Sequence, residues 1–236
     1  MKPKIAIRMA LVLALCGGLW AKDKNAEEAE RLKEAAEVLA ELMGAPDEGP
    51  PEKLLERAEC VAVVPNLKKA AFVIGGRFGR GAVSCRKDGG AGPWGPPSML
   101  TVGGGSFGAQ LGGQSTDIVM LIMNRKGIDH MLKSKFTLGA DASAAAGPKG
   151  RHAAVGTDAL MHAEILYYAR SRGLFAGISL DGASVRPDKD GNERLYGRKV
   201  DVKDLLLEGK HGIPGPAQPL IAALTRYAPR NVSAKK

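Results

Sequence analysis

Between Asn25 and Gly44 apolar side chains recur every three or four positions, at Leu32, Ala35, Leu39 and Leu42, with charged residues between them. That period predicts an amphipathic helix with Asn25 as its N-cap, acids crowding the first turn and Gly44 at its end. Residues 46–51 form a breaker-rich linker, and a short helix follows over 52–58. From Cys60 the period drops to two. "CVAVVP" reads as a short buried strand stopped at Pro65. In "AAFVIGGRFGRGAVSC", Phe72, Ile74, Gly76 and Phe78 alternate with Val73, Gly75, Arg77 and Gly79, as a strand requires. Asp88-Gly89 signals a turn and "GPWGPP" a loop. "SMLTV", "SFGAQLGGQ" and "TDIVMLIMN" read as successive strands, "RKGIDHMLKS" as a short helix and "KFTLGADASAAAG" as strand again. After the loop "GPKGRH", residues 153–185 hold three more strands, and "DKDGN" reads as a hairpin turn. "DVKDLLLEG" has Asp201 as N-cap and Gly209 just past its end, and a last helix covers Ala217 to Tyr227.

These elements predict an α+β fold: a curled, glycine-rich, mostly antiparallel sheet, barrel-like, with N-terminal and C-terminal helices. Glycine inside a strand weakens it and marks a bulge, sharp curvature or close backbone approach. An outer-membrane barrel would also alternate, but it needs aromatic girdles, and aromatics make up only 5% of the chain. Four segments follow. Residues 1–21 read as a signal peptide: Lys2, Lys4 and Arg8 precede an apolar run from Met9 to Leu15, and small residues lead to a cleavage point after Ala21. Residues 22–51 carry the first helix and its linker, 52–228 the main domain, and 229–236 a disordered tail. Cys16 offers lipidation as an alternative, but Leu15 stands where a small residue normally precedes the lipidated cysteine.

Export changes the meaning of the charge and the cysteines. The whole chain has a formal charge of +9, and loss of residues 1–21 takes away three basic residues and no acid, leaving +6. A basic surface attracts phosphates, and outside the cytoplasm these are lipid headgroups rather than nucleic acid. Cys60 and Cys85 are the cysteines left after cleavage, and an even pair in an oxidising compartment reads as a disulfide. Closing that loop contributes roughly 3 kcal/mol in the chain-entropy picture.

Several motifs could carry chemistry. Gly103, Gly105 and Gly108 fit a dinucleotide fingerprint, and Gly104, Ser106 and Gly108 fit a nucleophile elbow, with Asp117 and His130 as nominal triad partners. Both motifs need a helix to follow the glycines. Here Phe107, Ala109 and Leu111 fall on one strand face and Gly112-Gly113 would break a helix, so the segment reads as strand. His130, His152, His162 and His211 form no zinc spacing, and His162-Ala-Glu164 lacks the paired cysteines of a deaminase. No catalytic residue, metal or cofactor is expected.

The basic residues carry more. Lys68 and Lys69 are expected in a loop, Arg77 and Arg80 in the glycine-rich hairpin after it, Lys149 and Arg151 in the "GPKGR" turn, and Arg170 and Arg172 beside the "SRG" bend. Turns that combine glycine with Lys or Arg suit anion capture by charge and backbone donors together.

"GGRFGRGAVSCR", "GPWGPPSMLTVGGGSFGAQLGGQSTDIVMLIMN", "KFTLGADASAAAGPKGR", "YYARSRGLFAGISLDG" and "LYGRKV", in this order over most of residues 54–210, resemble the SYLF domain family. The resemblance implies a noncatalytic lipid-binding domain. Eukaryotic relatives, often joined to an SH3-type module, bind phosphoinositides and actin; bacterial relatives are commonly exported. Family membrane attachment is associated with an amphipathic N-terminal helix. Here that helix carries Glu27, Glu28, Glu30, Glu34, Glu37 and Glu41 against Arg31 and Lys33, the wrong sign for an anionic membrane. It is expected to pack on the sheet, leaving membrane contact to the basic turns. The reading is therefore an envelope protein that binds anionic phospholipid headgroups or a membrane surface, not nucleic acid, with Arg77, Arg80, Lys149 and Arg151 at the site. A structural or adaptor protein with a protein or glycan partner is the alternative, and a serine hydrolase using Ser106 a distant third.

Overall fold

The computed structural model describes residues 25–45, 49–71, 74–107, 112–148, 150, 162–171, 174–175 and 179–229. The expected signal peptide, Cys16 and the tail beyond Pro229 lie outside them. In chain order the elements are α1 (Ala26–Met43), α2 (Glu52–Arg57), β1 (Cys60–Ala71), β2 (Ile74–Cys85), β3 (Ser98–Phe107), β4 (Gly112–Ile122) and α3 (Arg125–Met131). Then come β5 (Phe136–Thr137), β6 (Ala144–Ala146), β7 (Ile165–Ser171), β8 (Leu174–Phe175), β9 (Ser184–Pro187), α4 (Lys189–Tyr196), α5 (Val202–Leu206) and α6 (Gln218–Tyr227). The expected α+β fold is what forms: one curled sheet ordered β5-β9-β3-β2-β1-β4-β7-β6, with β8 also pairing to β7. Among the described residues every pairing of these strands is antiparallel except β6 with β7.

Where it holds Cys60–Val64 and Ile118–Ile122, the sheet is buried on both faces. In β1, Cys60, Ala62 and Val64 point into one cluster and Val61 and Val63 into the other, and all five are almost fully excluded from solvent. This is why the strand reads as an unbroken apolar run and not as an alternation. α3, α5 and the segment around Phe136 and Leu138 cover the first face. α1, α2 and α6 cover the second, where Leu32, Ala35, Leu39 and Leu42 of α1 meet Leu220 and Leu224 of α6. The acidic helix therefore packs on the sheet, as its apolar stripe predicts.

β1 does not stop at Pro65. Between Val64 and Leu67 it spends three steps while β4 spends two, from Ile118 to Thr116. Between Val63 and Lys68 it spends five while β2 spends four, from Ala82 to Phe78. One extra residue is thus bulged out, and a bulge needs no ladder bond from the proline nitrogen. Asn66 takes a left-handed φ of 52° there, donates its N–H to Asp117 Oδ1 at 3.0 Å and accepts from Ser115 Oγ at 3.2 Å. The slip returns Leu67 to the face of Val64. Room for this comes from β2: a Cβ on Gly81 would lie 2.0 Å from the Val63 carbonyl oxygen, and one on Gly79 2.8 Å from both Leu67 and Val64.

Other expectations also change. "SMLTV" and the start of "SFGAQLGGQ" are one strand, because Gly103, Gly104 and Gly105 keep β3 paired to Phe78, Arg77 and Gly76. "KFTLGADASAAAG" is split by a turn in which Gly139 has φ 80° and the Asp141 carboxylate accepts the Thr137 N–H at 2.7 Å. "DKDGN" is the start of α4: Asp188 accepts the Gly191 N–H at 3.0 Å and so caps a helix instead of closing a hairpin. Asp201 caps α5 as expected, through the Lys203 N–H at 2.7 Å.

The register sets Cys60 directly opposite Cys85, with Cα atoms 4.0 Å apart and the sulfurs bonded. The next residue, Arg86, is buried and donates to the carbonyls of Ala58 (3.2 Å), Ala228 (2.8 Å) and Pro229 (2.6 Å). Its guanidinium lies 4.1 Å from the Trp94 ring centre, and Trp94 Nε1 also donates to the Ala228 carbonyl. Ala58 ends α2 and Ala228 ends α6, so the cation stands where two helix C-termini converge. Burial pushes its pKa down to about 10, against the pull of Glu56, and leaves it charged at neutral pH.

Two outcomes are expected. Denatured, unreduced protein made in an oxidising compartment should show no free thiol at Cys60 or Cys85, and reduction should release both to a maleimide label. Arg86→Met should lower the urea-unfolding free energy by about 3 kcal/mol, because it strands buried carbonyls as well as removing charge-assisted bonds; Arg86→Lys should recover part of the loss.

Candidate functional site

The predicted basic residues fall into three groups. Arg80 and Arg170 are occupied by the acidic helix. Arg80 Nη1 lies 3.2 Å from Glu27 and its Nε 3.8 Å from Asp188, while Arg170 is ion-paired to Glu41 at the other end of α1. Arg194, which no motif marks, holds fully buried Glu28 with two bonds of 2.8 and 2.6 Å. The acids that make α1 unsuitable for membranes are thus the counter-ions that fasten it to the sheet and to α4. Burial disfavours the ionised form of Glu27, but Arg31, Arg80 and Arg194 outweigh it and hold its carboxyl below the usual range.

Lys149, Arg151 and Arg172 lie outside the described residues, as do Gly108 and His152.

Lys68, Lys69 and Arg77 form the third group, and the structure corrects their setting. The two lysines are not in a loop but in β1 beyond the bulge, opposite Phe78 and Arg77 of β2. The cross-strand row Ser115, Lys68, Phe78, Gly103 lies on one face and the row Gln114, Lys69, Arg77, Gly104 on the other. Arg77 donates to the carbonyls of Ser179 (3.0 Å) and Asp181 (3.5 Å), which leaves its charge unneutralised. Among the described residues neither lysine side chain has a hydrogen-bond or ion-pair partner. Lys69 opposite Arg77 is a like-charge pair, which costs stability in a sheet. Residues 66–81 and 101–116 contain Lys68, Lys69, Arg77 and Arg80 and no Asp or Glu.

Sequence reading missed Phe78. Its strand position is expected, but the side chain is 50% exposed, the large apolar side chain most open to solvent among the described residues. The available signal was its setting between arginines and glycines, without an apolar neighbour two residues away on either side.

The serine-hydrolase constellation does not assemble. Ser106 is in β3, level with Gly75, Ala71 and Gly112, whereas Asp117 is five residues further along β4, with β2 and β1 in between. Asp117 accepts the Asn66 N–H, and His130 lies 3.3 Å from Glu164. Residues 103–107 and 112–122 are strand, so among the described residues no helix N-terminus of the kind either motif needs follows Gly103, Gly104 and Gly105.

Residues 103–227 match the Ysc84 family, described as "Las17-binding protein actin regulator". The chain belongs to the Ysc84 (SYLF) family. It is 35% identical over 187 residues to an SH3 domain-containing protein of Schizosaccharomyces pombe, covering 78% of this chain and 42% of that one. It is 32% identical over 206 residues to protein YSC84 of Saccharomyces cerevisiae, covering 83% and 43%. To SH3 domain-containing YSC84-like protein 1 of Homo sapiens it is 30% identical over 192 residues, covering 79% and 54%. The chain therefore spans about half the length of these curated relatives.

The pairs at the two ends of α1 should differ in weight. Glu28→Gln leaves Arg194 facing a neutral buried amide and should cost roughly 3 kcal/mol in chemical denaturation. Glu41→Gln, at an exposed carboxylate, should cost less than about 1 kcal/mol.

Proposed function

We propose that this member of the Ysc84 family is a noncatalytic binding protein of the bacterial envelope that takes anionic phospholipid headgroups. The observation that carries the reading is the Lys69–Arg77 pair, two cations held side by side in a sheet with Lys68 on the next residue and no ion-pair partner for any of the three among the described residues. Such a cluster is stable only with solvent or a polyanion around it. Phosphodiester headgroups supply the matching charge, and the signal-like residues 1–21 direct the chain to a compartment where lipid is the abundant phosphate. Arg80 and Arg170, already paired to α1, contribute no more than background field, so among the described residues the site rests on the strand residues Lys68, Lys69 and Arg77, with Lys149, Arg151 and Arg172 outside the described residues. Among the described residues no helix is long and apolar enough to cross a membrane, and the binding is peripheral.

The relatives' names support a second reading. A Las17-binding description and SH3-containing relatives fit an adaptor whose partner is a protein.

Vesicle co-sedimentation separates the two. Mature protein should pellet with vesicles of phosphatidylcholine plus phosphatidylglycerol, and much less with phosphatidylcholine alone. Three cations at about 1 kcal/mol each make this attraction weak and steeply dependent on salt. Failure to bind anionic vesicles at low salt removes the lipid reading; pelleting with actin filaments but not with vesicles favours the adaptor.

A further inference from the structure

Two of the cations that α1 occupies share a face of the sheet with Lys68. Arg80 is two residues from Phe78 in β2, and Lys68 of β1 stands opposite Phe78. Ser115 of β4 continues that row, and Arg170 of β7 pairs with Asp117, two residues from Ser115. Ala82 and Tyr168, two residues from Arg80 and Arg170, belong to the second cluster, so this is the face that α1 covers. β1 lies between β2 and β7 in the sheet order, and Arg80, Lys68 and Arg170 form one basic series across the strands. The acids above them are spaced as regularly. Glu27, Glu34 and Glu41 recur every seven residues along one flank of α1. The outer two, about 21 Å apart along the helix, are the partners of Arg80 and Arg170.

We propose that α1 is a competitive acidic cover. Glu27 and Glu41 hold Arg80 and Arg170 in place of lipid phosphates, and the two arginines change partners at an anionic bilayer while the helix stays docked. The inference rests on the lipid-binding reading and adds its regulation and two residues to the site.

Three features suit these pairs to exchange. The carboxylates are wet: Glu27 and Glu41 are 54% and 57% exposed, whereas Glu28, which anchors the same helix on Arg194, is fully buried. An exposed ion pair contributes little, so a phosphate displaces the acid at small cost. Each arginine also gives its glutamate a single nitrogen donor, and a phosphate that takes two at once holds more strongly. Neither acid is stranded when it lets go. Glu27 keeps the Arg31 guanidinium at 2.9 Å, and Glu41 returns to water. Nor does the docking of α1 depend on the exchange. Leu32, Ala35, Leu39 and Leu42 are buried between the two pairs, and the Glu28–Arg194 bonds of 2.8 and 2.6 Å stay closed. Asp188, 3.8 Å from Arg80 Nε, keeps that side chain in place while Nη1 turns to its new partner.

Neutralising the cover tests it by a gain. Mature Glu27→Gln/Glu41→Gln should bind vesicles of phosphatidylcholine plus phosphatidylglycerol about tenfold more tightly than the parent, because two arginines are released to the anionic surface. Glu30→Gln/Glu193→Gln removes the same net charge at two exposed acids that have no ion pair among the described residues. It should change affinity less than about twofold, since no cation is released. Adding Arg80→Gln/Arg170→Gln to the first variant should cancel its gain. Amide hydrogen exchange in α1 should be as slow with vesicles as without them. Far-UV dichroism and a cooperative melt verify that each variant is folded. If the parent binds anionic vesicles and the gain is absent, or the control variant shows it equally, the cover is overturned while the lipid reading stands. Loss of α1 protection on vesicle addition overturns exchange with the helix docked. If the parent itself fails to bind, the lipid reading falls and the cover with it.

Discussion

Two central strands, β1 and β4, that are apolar on both faces cannot be stable until both faces are covered, and the rest of the fold follows from that constraint. β1 and β4 alternate between two hydrophobic clusters instead of between core and water. Antiparallel sheets usually leave one face to solvent. Here the first face takes its cover from α3, α5 and the segments around β5 and β9, and the second from α1, α2 and α6. A Leu or Val removed from water contributes on the order of 2 kcal/mol, so the second layer is a major part of the stability and not an accessory.

Charge is divided by the same cover. Where α1 lies on the sheet, its glutamates neutralise Arg80 and Arg170 and, through α4, Arg194. Away from α1, Lys68, Lys69 and Arg77 have no ion-pair partner among the described residues. The uncompensated cations are what remains when an acidic helix covers part of a basic sheet. Basic residues of equal promise in the chain thus have different fates, decided by distance from the helix.

Much of this was legible in advance. The period of four in α1, the period of two from Cys60, the cap at Asp201 and the strand over residues 103–107 depend on near neighbours in the chain, and pattern reading captures them. What escaped depends on distant ones. Pro65 looks like a strand stop because a proline nitrogen cannot donate; only the glycines of β2, which let the bulge press close, show why it is tolerated. Asp188 looks like a turn residue until Asn192 and Arg194 are seen docked on Met99 and Glu28. For the site, residue type was readable and pairing was not: nothing near Arg80 in sequence announces Glu27, 53 residues away. Nor does anything near Arg86 announce that its partners are helix ends.

Those helix ends carry a consequence for the order of events as the chain folds. Arg86 reaches the Ala228 carbonyl across 142 residues, and α6 closes the same layer that α1 opens. A ribosome must deliver almost the whole described chain before that layer can close, so β1 and β4 wait with one greasy side unprotected for most of synthesis. Such nascent strands invite pairing with the wrong neighbour, and contacts this distant form late. Under the proposed export, this delay keeps the chain loose enough to be threaded until its last helix has been made.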